Sequence, residues 1–224
     1  MTELNNPEFG SAKLGRKALK DAVRILEGIG RPHLSKAQEN NIKELAKALG
    51  MAAREIKPMS FSEADQGASN PSKDQNNCQS CVVSFAARRR GLDCKARPYD
   101  FGNDNMCALG ERFQDAWIDS RTGDILNPII IRGKDDEDIL NRLRKCLSAE
   151  GEYILGFNGK DDSGHVVNVI SINGEIIIHD EQISRNANRY SSLASFSDID
   201  YFELIKVDKA LLNVELVKEV LEAN

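Results

Sequence analysis

Cys78 and Cys81 stand three residues apart in Asn77-Cys78-Gln79-Ser80-Cys81. A C-x-x-C pair offers three chemistries: zinc ligation, dithiol exchange, or attack by a thiolate. Zinc needs about four ligands, and the sequence has no second Cys/His pair of suitable spacing, so no metal is expected. The five cysteines are completed by Cys94, Cys107 and Cys146. An odd, scattered set in a long chain is unlike the dense even frameworks of small secreted domains, so at least some thiols are free.

The nucleophile reading rests on the residues after Cys78. Those three, four, seven and eight positions on are Cys81, Val82, Phe85 and Ala86, an apolar stripe at helical spacing that Gly91 closes. Cys78 then begins the helix, where unpaired N–H groups and the helix dipole favour a negative sulfur. Cys81 falls one turn inside the packed face. This favours Cys78 as nucleophile and leaves Cys81 as the alternative.

A thiolate needs a base, and the region around Asn173-Gly174 supplies one. This dipeptide is a strong two-residue hairpin signal between the apolar runs His165–Ser171 and Glu175–Asp180. With Ile172 opposite Glu175, pairing outward sets Val167 opposite Asp180 and His165 opposite Gln182. Alternation puts these four side chains on one face and His179 on the other. His165 and Asp180 become diagonal neighbours, within reach of a hydrogen bond. Cys78, His165 and Asp180 make a set suited to acyl transfer, with the helix-start N–H groups stabilising an oxyanion.

The remaining elements must carry these residues. Leu14 to Leu26 and Ala37 to Leu49 have helical spacing, the second behind a capping box at Ser35 and Gln38. They read as an N-terminal helical hairpin, an appendage over residues 1–57, with a loose end at residues 1–10. Pro58, Pro71 and the polar residues between them place a boundary before a catalytic domain at 58–224. Further on come a short strand at Leu92–Arg97, a loop carrying Trp117, an apolar Ile129–Ile131, and a helix from Asp138 to Leu147. Strands at Tyr153–Phe157 and Tyr201–Val207 and a closing helix at Leu211–Leu221 complete the reading. Helices ahead of an antiparallel sheet define an α+β fold.

With 224 residues, 41% of them hydrophobic, the chain can bury a real core. A net charge of −5 gives no drive toward nucleic acid or anionic membranes. No apolar run reaches the ~20 residues of a membrane span, and the N-terminus lacks the layout of a Sec signal peptide.

Several short motifs in order resemble the papain-fold toxin family: Asn77-Cys78-Gln79-Ser80-Cys81-Val82-Val83, Arg88-Arg89-Arg90-Gly91, Ala116-Trp117-Ile118-Asp119, Gly164-His165-Val166-Val167-Asn168-Val169 and Asp180-Glu181-Gln182. The upstream Ala64-Asp65-Gln66-Gly67 and Asn70-Pro71 resemble a lead-in seen in some members, and the likeness runs over roughly residues 59 to 182. It implies a papain-like cysteine hydrolase fold, with the nucleophile helix packed on an antiparallel sheet. It also implies a toxin or effector that hydrolyses glutamine side chains of a target protein to glutamate, releasing ammonia and using no cofactor. The resemblance carries the Cys, His and Asp roles onto Cys78, His165 and Asp180, and a D-x-Q motif onto Asp180 and Gln182, the latter orienting the imidazole or binding substrate. Glu181 departs from a common proline, so a gentler turn after Asp180 is expected. Gln75 precedes Cys81 by the interval between oxyanion glutamine and nucleophile in papain-like proteases, and can serve either cysteine.

The implied setting is synthesis in a bacterial cytoplasm and delivery by a non-Sec route into a target cell. A cognate immunity protein or a chaperone is the implied partner. Two other readings stay open: a papain-like cysteine protease using the same residues, and a non-enzymatic structural, phage-associated or redox module.

Overall fold

The computed structural model describes residues 16–52, 56–66, 70–182 and 190–224. The expected loose end, the first turn of the first helix and Gly67 of the lead-in lie outside them. The helices are α1 (Arg16–Glu27), α2 (Lys36–Ala48), α3 (Phe61–Ala64), α4 (Cys78–Arg89), α5 (Asp104–Glu111), α6 (Asp136–Cys146) and α7 (Val214–Val220). The strands are β1 (Cys94–Ala96), β2 (Trp117–Ile118), β3 (Ile129–Ile131), β4 (Gly151–Gly159), β5 (Gly164–Ile172), β6 (Glu175–His179), β7 (Tyr190–Ser191), β8 (Ile199–Lys206), β9 (Leu211–Leu212) and β10 (Leu221–Ala223).

Asn173 and Gly174 both take positive φ, 52° and 77°, the backbone a type I′ turn demands. They join β5 to β6 with Ile172 opposite Glu175, and the ladder runs outward to Asn168 opposite His179. There it stops. The expected pairs Val167–Asp180 and His165–Gln182 do not form, because the chain turns at Glu181 and Gln182 while the Gln182 N–H bonds back to the Asp180 side chain. A short side chain that captures the N–H two residues on builds a turn without proline. The gentler turn expected from Glu181 is therefore not seen.

This hairpin belongs to a six-stranded sheet of order β3-β8-β4-β5-β6-β7, antiparallel at every pairing. Each face carries its own cluster, as period-two alternation requires. Val167, Val169 and Ile178 pack under α6 through Ile139, Leu143 and Leu147. Ile154 and Val166 meet α4 on the opposite face, where Ile170 and Ile177 meet Phe85.

Helix α4 is enclosed, not merely laid on the sheet. Of its residues only Gln79 escapes full burial. The expected one-sided stripe is replaced by a central helix covered by the sheet, β1, α5 and α7. Its C-terminus ends in a Schellman motif, with the Leu92 N–H on the Ala87 carbonyl and the Gly91 N–H on that of Arg88. Gly91 has φ +102° and lies so close to Lys57 that a Cβ there would sit 2.6 Å from its backbone, so no other residue fits.

The two N-terminal helices bury their apolar sides in different places instead of closing on each other as a hairpin. Ala22 and Leu26 of α1 join Phe61, Phe85 and Ile177. Ile42, Leu45 and Ala46 of α2 enter the cluster that holds Cys78, Val82 and Trp117. The capping box at Ser35 and Gln38 forms as expected. At the other end, the expected helix over Leu211–Leu221 is trimmed on both sides. Leu211 and Leu212 pair with Trp117 and Ile118, and Leu221–Ala223 pair with Cys94–Ala96, so strand pairing overrides helical spacing. Helix α5 falls where a loop was expected, capped by the Asn103 side chain.

Candidate functional site

Cys78 is the first residue of α4, and the site grows from how that helix begins. Asn77 occupies the cap position but makes no side-chain cap hydrogen bond. Its amide is used elsewhere: Nδ2 donates to Asn70 Oδ1 and the Arg97 carbonyl, both at 3.1 Å, and Oδ1 lies 3.3 Å from Cys81 Sγ. The first intrahelical bond is the Cys81 N–H to the Asn77 carbonyl. The cap side chain thus leaves the first-turn N–H groups at Cys78 to whatever negative charge develops there.

His165 is the second residue of β5, opposite Phe157 of β4, and is buried. Its Nε2 lies 2.7 Å from Asp180 Oδ2. The ring also shares a hydrogen bond with the Cys78 side chain. Burial works against a charged ring here, yet Asp180 and Cys78 outweigh it and push the pKa up to about 10. Asp180 follows β6 directly. Burial would raise its pKa, but His165 and the Gln182 N–H, 3.0 Å from Oδ1, hold it below the usual carboxylate range. Both carboxylate oxygens are engaged, which fixes the rotamer that meets the imidazole.

The other candidates are Gln182, Gln75 and Cys81. Gln182 meets Asp180 through its backbone, and its carbonyl accepts from Asn70 Nδ2 at 3.0 Å. Its side-chain nitrogen is buried without a hydrogen-bond partner among the described residues. Gln75 sits exposed in the loop just before α4. Cys81 is fully enclosed, 0% exposed against 6% for Cys78. Burial first, then the neighbouring Cys78, Glu181 and Asp180, push its thiol pKa well up, so it holds its proton and stays a poor nucleophile. Among the described residues no group of His, Cys, Asp and Glu is arranged to hold a metal ion.

Residues 76–185 match the model of the family described as papain fold toxin 1, glutamine deamidase. This segment belongs to that family. The matched stretch contains α4 and the β5–β6 hairpin, and the mixed helical and antiparallel architecture is the papain-like one. Comparison with curated proteins finds no match. Among solved structures the chain is similar to the Pseudomonas avirulence protein AvrPphB, at 9% identity and TM-score 0.31, over 84% of this chain and 98% of that one.

Two features of this papain-fold toxin segment were missed in the sequence. Arg88, Arg89 and Arg90 form a charge run, which usually means a solvated surface, yet all three are buried. Arg88 donates from Nε to the Ala64 carbonyl at 2.9 Å and pairs with Asp93 at 2.5 Å. Arg89 donates to the carbonyls of Gly30 and Met59 and pairs with Glu152. Arg90 donates to the Val207 carbonyl and stacks over Trp117. The signal that marks them is position: they sit at a helix C-terminus directly before a glycine, where fixed donors are wanted.

The second missed feature is His179. It is fully buried. Its Nε2 lies 2.9 Å from Asp65 Oδ1 and its Nδ1 2.5 Å from Glu181 Oε1. The hint was Asp65 in the lead-in together with an acidic residue at 181.

Proposed function

We propose that this chain is a protein-glutamine deamidase that acts as a toxin or effector through Cys78, His165 and Asp180. The observation that carries the reading is a buried imidazole held between a carboxylate and a thiol at the uncapped start of α4, inside the matched deamidase segment.

The proposed chemistry follows from that arrangement. The Cys78 thiolate attacks the carboxamide carbon of a substrate glutamine, and the oxygen charge that forms points at the first-turn N–H groups of α4. Gln75, in the loop just before α4, is the side-chain donor proposed to assist. His165, charged while paired with Asp180, gives its proton to the departing nitrogen, so ammonia leaves and a thioester remains. It then takes a proton from water, which attacks the thioester and releases glutamate with the thiol regenerated. Asp180 keeps the ring oriented throughout, and Gln182 keeps Asp180 in place through its backbone. Cys81 takes no part.

The substrate is a protein in a target cell, reached by a non-Sec route, and a cognate immunity protein or chaperone accompanies the chain. No helix among the described residues is long and apolar enough to cross a membrane.

The test is side-by-side expression of the wild-type protein and Cys78→Ala in cells, with intact and peptide mass spectrometry of both cultures. The expected result is a target glutamine converted to glutamate only with the wild type. Cleaved fragments without amide conversion would make the chain a protease, and identical proteomes in the two cultures would end the enzymatic reading.

A further inference from the structure

Asp180 is flanked in sequence by His179 and Glu181, and the two flanking side chains meet each other behind it. His179 Nδ1 lies 2.5 Å from Glu181 Oε1, and the same oxygen accepts from Asn168 Nδ2 at 2.5 Å. Asn168 is the ladder partner of His179, so side chains bridge the hairpin at the last rung of the strand pairing. On its other edge the His179 ring reaches Asp65 at 2.9 Å, the residue that ends α3. Phe61 and Phe85 stand against the ring at centroid distances of 4.9 and 4.8 Å, a setting that favours a cation.

The charged groups facing His179 are therefore Asp65 from the end of α3 and Glu181 from the turn, with the Asp180 carboxylate also acting on it at longer range. Phe61 of α3, Phe85 of α4 and Asn168 of β5 supply no charge. The Cys81 thiol, which also feels Glu181, has its pKa pushed well up and adds no charge. Burial disfavours a charged ring, but Glu181 and Asp65 outweigh it and raise the His179 pKa to about 9. A buried cation held by two carboxylates is costly unless it specifies a geometry. The geometry available is that of the residue between its two anchors on the chain.

We propose that His179 is a positioning residue: with Asp65, Glu181 and Asn168 it clamps both peptide neighbours of Asp180, so that the carboxylate projects through the hairpin onto His165. Asn70 closes the clamp from the other side. Its Nδ2 donates to the Gln182 carbonyl while its Oδ1 accepts from Asn77 at the start of α4. The cation therefore sets the alignment of imidazole and thiol without touching either. It occupies the place where a turn-fixing proline is absent, since Glu181 stands there and hydrogen bonds fix the turn instead.

This inference rests on the Cys78–His165–Asp180 reading, so the test uses a readout that needs no substrate. Wild type, His179→Gln, Glu181→Gln and Asp65→Asn are reacted with iodoacetamide across pH, and the rate of Cys78 alkylation is tracked by mass spectrometry. A thiolate paired with an imidazolium reacts below neutral pH, where an ordinary thiol does not. The His179→Gln protein is expected to lose about 10-fold in rate on that acidic side, the lower end of what outer partners of a site contribute. Glu181→Gln, which keeps the hydrogen bond from Asn168, is expected to lose less. Circular dichroism verifies folding, and if His179→Gln does not fold, Glu181→Gln and Asp65→Asn carry the test. Profiles that superpose on the wild type overturn the proposal while leaving the thiol–imidazole pair standing. An ordinary free-thiol profile in the wild type sinks that pair and this inference with it.

Discussion

The two ends of α4 are built on opposite plans. At its C-terminus a Schellman motif, a glycine pressed on Lys57 and three buried arginines tie the helix to segments at residues 30, 59, 64, 152 and 207. At its N-terminus the cap residue turns its amide to Asn70 and Arg97 and makes no side-chain cap to the first-turn donors. A helix fixed at one end can hold the other end ready without filling it. Rigidity and the proposed reactivity are thus separated along 12 residues. Helix α2 shows what an end without this task looks like: Ser35 and Gln38 satisfy each other's backbone donors in a closed box.

The contrast breaks most sharply at the sulfur atoms. Replacing Cys78 by Ala is expected to cut ammonia release on the order of 10,000-fold, the scale of losing a nucleophile that works as part of a unit. Cys81→Ala should keep activity within several-fold while lowering stability. The reverse pattern in an ammonia assay would exchange the roles of the two thiols.

At the other end, Arg89→Met removes one partner of a buried pair and leaves the Gly30 and Met59 carbonyls without their donor. A loss of about 3 kcal/mol is expected, read as a lower urea midpoint, with the alkylation profile of the surviving folded protein unchanged. A mutant that stays stable, or one that loses thiol reactivity first, would erase the division between the two ends.

The pH dependence sharpens it further. His165 and His179 have folded pKa values of about 10 and about 9, above their ordinary 6.5. Raised values mean the folded state binds the protons more tightly. Their contribution to stability is complete below pH 6.5 and is lost as pH rises through the folded values. Asp180, held below 3.8, acts in the other direction and contributes above that value. Thermal melting is therefore expected to weaken from neutral pH toward pH 9 and 10, and His179→Gln should flatten that decline. The smallest effect is expected at the ordinary cap: Ser35→Ala should cost about 1 kcal/mol, with no change in thiol reactivity.

Much of this was legible in the sequence because the signals were local. Asn173-Gly174 specified a turn, the turn specified a register, and the register carried His165 and Asp180 toward each other. Where the ladder ended was not legible, since the stop is made by a bond from the Gln182 N–H to the Asp180 side chain. The role of His179 was hidden for a similar reason. Its partner Asp65 lies 114 residues away, and only tertiary packing reveals that its side of the strand is interior. Helix α7 was over-read because Leu211, Leu212 and Leu221 fit a helical stripe, yet each belongs to a strand pair formed with a distant segment.

The pairing of β1 with β10 sets an order of events for a growing chain. Cys94 lies against Ala223, so the strand after α4 has no partner until the polypeptide has been made past Leu221. Long-range closures of this kind come late in folding. A polypeptide released at Val220 carries the thiol, the imidazole and the carboxylate, but lacks the rung that completes their support. The segment Leu221–Ala223 thus acts as a timer, and truncation before it is expected to leave Cys78, His165 and Asp180 in an incompletely closed fold.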